Sequence, residues 1–127
     1  MGRFRRDDGQ DLLEYALVLP LLLLLLLGIM EFGMVVLSYD TIANAAREGA
    51  RCGIIPSNEI DQCIQNSIDR WATGLNLTSD NFTVTLGGNT IRVEVTYDHN
   101  LISGPIIEAV GGDPTLQLRT VTTMQIE

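Results

Sequence analysis

Residues 9–37 read GQDLLEYALVLPLLLLLLLGIMEFGMVVL. Ala16 to Met30 is uncharged throughout, and leucine fills every position from 21 to 27, a composition that favours helix. Beyond Glu31 the apolar run resumes from Phe32 to Leu37, so Leu12 to Leu37 is 26 residues. As a helix, that length crosses a hydrocarbon core of about 30 Å. Pro20 has no N–H for the carbonyl of Ala16, so the helix is expected to bend or loosen there, which a bilayer tolerates when neighbours re-satisfy the carbonyl. Two carboxylates punctuate the stretch: Glu14, five residues after Gly9, and Glu31, seventeen further on. Charge at that depth is costly and asks for a reason.

Arg3, Arg5 and Arg6 precede the run, and the next basic residue is Arg47, ten residues past it. The positive-inside rule therefore expects Met1 in the cytoplasm and residues beyond about 40 outside, whatever Asp7 and Asp8 contribute. A secretory signal peptide fits poorly, because the apolar stretch is too long and no A-x-A site follows it closely. Cleavage between Gly9 and Gln10 is another route. It would remove a basic leader, residues 1–9, and leave the helix on the mature chain.

The helix pattern continues outward. DTIANAAREGAR, residues 40–51, holds good helix formers and no proline. Ala43, Ala46, Ala50 and Gly53 recur at three- and four-residue steps on one face. A stripe of small residues lets another helix approach closely; it can equally pack under the chain's own sheet. GIIPSN, residues 53–58, breaks the helix, and Ser57 or Asn58 can cap the next one. From Glu59 to Gly74 the chain reads as helix, with Ile60, Ile64, Ile68 and Trp71 or Ala72 on one side. The period then drops to two. Phe82, Val84 and Leu86 form one strand, Gly87-Gly88-Asn89 a tight turn, and Ile91, Val93, Val95 and Tyr97 a second strand. Leu101 to Val110 is a loop or short helix; Leu116, Leu118, Val121, Met124 and Ile126 suggest a last, irregular strand. The expected fold is α+β: a long N-terminal transmembrane or spine helix, a short helix and a small antiparallel sheet. The expected division is leader 1–9, hydrophobic transmembrane and assembly helix 10–53, and extracytoplasmic α+β domain 54–127.

Composition narrows the function. The 127 residues carry a net charge of −8, with no lysine. From Cys52 onward three arginines face nine carboxylates, which argues against nucleic acid as a partner and suits a solvated surface. Cys52 and Cys63, eleven apart, can form a disulfide outside the cytoplasm or remain thiols; no neighbouring ligands at zinc spacing accompany them. Asn76 and Asn81 each begin an N-x-[ST] match and are candidate glycosylation acceptors. His99, the single histidine, follows Asp98 in what reads as an exposed loop. No Ser or Cys motif accompanies it, and the Gly-Gly pairs look like turns, not phosphate loops. The expectation is a non-enzyme with no cofactor, metal or small-molecule substrate.

GQDLLEYALVLP, GIMEFG and NAAREGAR together resemble the N-terminal region of TadE-like proteins of the tight-adherence (Flp) type IV pilus system. Gly9 followed by Glu14 and Tyr15 is similar to the Flp prepilin processing motif, with Pro20 and Glu31-Phe32-Gly33 adding to the likeness. It is strong over about residues 9–53 and weak over the C-terminal strands. Gln10 stands where type IV pilins have phenylalanine, so the likeness does not extend to N-methylation. The resemblance implies a structural pilus subunit, processed after Gly9 by a prepilin peptidase. The subunit is held single-pass in the inner membrane with its N-terminus cytoplasmic. It then assembles with copies of itself or other pilins, through machinery in the membrane, into a cell-surface pilus used in adhesion. The chain's length favours a minor pilin, a pseudopilin or a larger fibre-building pilin over a typical Flp major pilin. Glu14 would then meet the new amino group of a neighbour's Gln10; alternatively, with Asp11, it only favours the positive end of the helix. Glu31 would pair with Arg47 or Arg51 of a shifted neighbour, or lie at the interface. The competing reading is a bitopic protein retained in the membrane as an assembly factor with an outward binding domain.

Overall fold

The computed structural model describes residues 7–54, 59–72 and 74–125. Helix α1 runs without interruption from Asp7 to Arg51, passing through Pro20. Its 45 residues extend about 68 Å at 1.5 Å per residue. A 3-10 turn, Cys52–Ile54, ends it, and helix α2 follows at Ile60–Trp71. Strands β1 (Phe82–Gly87), β2 (Thr90–Asn100) and β3 (Thr115–Gln125) form an antiparallel sheet in the order β1-β2-β3. A short helix α3, Gly104–Ala109, lies between β2 and β3. The fold is α+β, as its sequence pattern implies.

One end of α1 is packed and the other is bare. Ile42, Ala46 and Ala50 lie against Ile91, Val93, Val95 and Leu118 of the sheet. A quarter turn around the helix, Ala45 packs with Cys52, Ile60, Ile64, Ile68 and Ala72. Leu77, Phe82 and Val84 touch both clusters. The small side chains of α1 therefore let the chain's own sheet and α2 approach its backbone. The close approach expected of the stripe is used within the chain at Ala46, Ala50 and Gly53, all buried, while Ala43 is half-buried. A neighbouring subunit has no access to those three.

Several local expectations change. The α2 repeat ends on Ala72, which is buried, and Trp71 is half exposed. The expected caps at Ser57 and Asn58 lie outside the described residues, as does Ile126. The last strand is regular rather than irregular. Leu118, Thr120, Thr122 and Met124 pair with Tyr97, Val95, Val93 and Ile91, and Thr120 is buried. Threonines at core-side positions hid the alternation, and Val121 faces outward. At the hairpin, Gly87 pairs with Thr90 and Gly88 takes φ +57°, the positive φ that two-residue hairpin loops demand. Helix α3 ends in a Schellman arrangement: Gly112 N–H donates to Ile107 O at 2.9 Å and Gly111 N–H to Glu108 O at 2.9 Å, with Gly111 at φ +81°.

Candidate functional site

The residues marked by the sequence divide between the bare and packed parts of α1. Gly9, Gln10, Asp11, Glu14, Tyr15 and Pro20 are all exposed on its N-terminal part. Asp11, Glu14, Tyr15 and Val18 share one face there, as steps of three and four require. No described residue gives Glu14 a hydrogen bond or ion pair. Arg3, Arg5 and Arg6 lie outside the described residues. Among the described residues one helix is long and apolar enough to cross a membrane, and its most apolar window is wholly unburied.

Glu31 is fully engaged. Its Oε1 accepts the N–H of Ile102 at 2.8 Å and its Oε2 accepts the N–H of Ser103 at 3.0 Å. These donors open the turn into α3, in which Gly104 N–H closes onto Leu101 O. Charge-assisted bonds of this kind are the strong class. Within the chain Glu31 is therefore held by its own backbone rather than by an arginine, and Arg51 lies 3.4 Å from Glu48. Spacing along the chain gave no signal for this, because donor and acceptor are 71 and 72 positions apart.

His99 is not an exposed loop residue. Strand β2 continues through it, opposite Leu116, and the ring is only 5 % exposed. Its Nδ1 lies 3.2 Å from the hydroxyl of Ser38, which is also buried. Nε2 is buried without a hydrogen-bond partner among the described residues. A Ser–His contact suggests nucleophilic chemistry only when the serine is reachable and the far nitrogen is oriented by a third group. Here the serine is buried and the far nitrogen has no partner.

Cys52 and Cys63 are bonded to each other, joining the end of α1 to α2 with Cα atoms 5.8 Å apart. Asn76 is exposed in the connection before β1. Asn81 is part of the fold: its Oδ1 accepts Thr78 N–H at 2.8 Å, and its Nδ2 donates to Thr96 O at 3.1 Å. A sugar on that nitrogen would have to displace the second bond. Among the described residues no group of three or more His, Cys, Asp or Glu is placed to hold a metal.

On the sheet's outer face Arg119 Nε donates to Glu94 at 2.6 Å, with Arg92 at 3.7 Å on the other side. The Arg119 hydrogen bond, with the nearby positive charges, holds the Glu94 carboxyl below the usual range against the opposing effect of partial burial. The hydroxyl and N–H of Thr115 do the same for Asp113.

No curated protein and no solved structure matches the chain. A family model described as TadE-like protein matches residues 9–51, which is α1 from Gly9 to its last residue. Over that helix, about a third of its length, the chain is similar to TadE-like proteins.

Proposed function

We propose that the chain is a structural subunit, a major or minor pilin, of a Tad/Flp-type pilus. It is trimmed between Gly9 and Gln10 by a prepilin peptidase, waits in the inner membrane with its N-terminus cytoplasmic, and assembles through α1 into a surface fibre. The observation that carries this reading is the bare section of a TadE-like helix, with Glu14 exposed near its start. An unpartnered carboxylate on an apolar rod is costly in lipid, and a neighbour's new α-amino group at Gln10 offers the opposite charge. Gly9 also weakens the helix at the scissile bond, by about 1 kcal/mol relative to alanine. The role is structural rather than catalytic, and the partners are other pilins and the membrane machinery that extracts them.

The reading of a retained assembly factor has one observation in its favour. Ala46, Ala50 and Gly53 are already covered by the chain's own sheet and α2, so beyond Leu37 only the outward face with Tyr39, Asp40, Asn44 and Arg47 is left for neighbours. Intact mass of the native protein separates the two. The pilin reading expects a chain beginning at Gln10 in sheared fibres; a chain beginning at Met1 and confined to membranes overturns it. Glu14→Ala should abolish fibre incorporation while leaving membrane insertion intact; unchanged incorporation would remove the role assigned to Glu14.

A further inference from the structure

We infer that the α3 tip, residues 101–112, is a second membrane contact, its aliphatic face immersed in the leaflet nearer the folded domain. The inference rests on reading residues 12–30 of α1 as the membrane span. The bonds from Ile102 and Ser103 to Glu31 set the level of the tip along α1. From there the tip overlaps the span. Ile106 and Leu116 line, with Leu24, Leu27 and Phe32, an apolar groove of about 520 Å³. Leu24 is seven residues before Glu31, about 10 Å along a helix. Residues 12–30 extend about 28 Å, close to the thickness of a hydrocarbon core. When they fill that core, Glu31 stands at its boundary and the groove lies in its outer third.

The chemistry of the tip fits that level. Ile102, Ile106 and Val110 are 47 %, 53 % and 81 % exposed, in the turn before α3, within it and at its C-cap. Glu108, the single charge between Leu101 and Gly112, is two positions from Ile106, about 200° around the helix. Exposed aliphatic side chains on an otherwise acidic domain are unfavourable in water. Through Ile106 and Leu101 the tip is continuous with the exposed apolar surface of the span, so the same acyl chains cover both. The polar ends of the contact are Glu31 and the backbone N–H groups it accepts, satisfied within the chain as a low-dielectric level requires. The tip therefore fixes the depth at which α1 sits and the tilt of the folded domain over the surface.

The test uses the full chain in phosphatidylcholine–phosphatidylglycerol vesicles at high lipid-to-protein ratio. Trp71→Phe removes the native tryptophan, and single tryptophans are placed by Val110→Trp, Leu24→Trp and Thr123→Trp, all at exposed positions. Lipids brominated high on the acyl chain should quench Val110→Trp and Leu24→Trp, with blue-shifted emission for both, and spare Thr123→Trp on the outer sheet face. Quenching of Leu24→Trp without Val110→Trp overturns the tip contact and keeps the span. Absence of quenching at Leu24→Trp removes the span and the tip contact with it. A Val110→Trp blue shift that disappears on dilution into more lipid identifies a second copy as the cover and overturns the lipid contact.

Discussion

Two glycines four residues apart show how differently one residue type is used. A Cβ on Gly49 would sit 3.6 Å from Val93 Cγ1 and 3.8 Å from Ile64 Cγ2, ordinary contact distances. Alanine is also the better helix former. Gly49→Ala should stabilise the folded domain by about 0.5–1 kcal/mol. At Gly53 the Cβ would come within 2.7 Å of Ile91 Cγ2, so Gly53→Ala should cost about 1–3 kcal/mol by overpacking. Urea denaturation in detergent, followed by circular dichroism, reads both; equal effects would contradict the packing described. His99 is the other residue of consequence. Its Nε2 without a partner carries a penalty of about 1–3 kcal/mol. Replacing the pair together, Ser38→Ala with His99→Leu, should be neutral or stabilising, whereas His99→Asp should destabilise. A double variant less stable than the parent would mean the pair holds the fold.

At the scale of elements, the outer face of the sheet and the connection leading into β3 carry a pH dependence. Glu94 and Asp113 both have folded values below their ordinary ones. The sign follows from linkage: their contribution is complete above the unfolded carboxylate value of about 4.3 for Glu and 3.9 for Asp, and is lost as pH falls through the lower folded values. Thermal midpoints should therefore fall between about pH 4.5 and pH 2, and Glu94→Gln should flatten that fall. An unchanged slope in the variant would show that the Arg119 bond does not contribute. The elements themselves were largely legible. Apolar spacing located α1, α2, β1 and β2, because each buries one face and the burial imposes its period. Strand β3 was harder to read, since the core side accepts Thr120 and Thr122. The end of β2 was hidden too, because a histidine and an asparagine resemble a loop until β3 pairs with them.

For the whole molecule, the two core clusters share α1 but differ in reinforcement. The cluster under α2 is tied by Cys52–Cys63, the one under the sheet by strand pairing. Closing a loop of that length is worth about 2–3 kcal/mol through the unfolded chain. Reduction should lower stability by that amount and raise hydrogen exchange first at Ile64 and Ile68, with Val93 and Val95 keeping their protection. Uniform loss of protection would make the domain one cooperative unit instead. The acidic surface, the exposed rod and the apolar tip then sort by environment: charge toward water, aliphatic side chains toward lipid.

Sequence alone determined the rod, its membrane-spanning length, its arginine-flanked start, the TadE-like motif around Glu14 and the α+β order. All are local, carried by composition and by spacings within one helix or hairpin. Only the tertiary structure decided that Ala46, Ala50 and Gly53 serve the chain's own core, that Glu31 is held by Ile102 and Ser103, that Ser38 meets His99, and that α3 lies beside the span. Those contacts join residues far apart along the chain. No periodicity reports them, because they exist only once the sheet has docked on the helix.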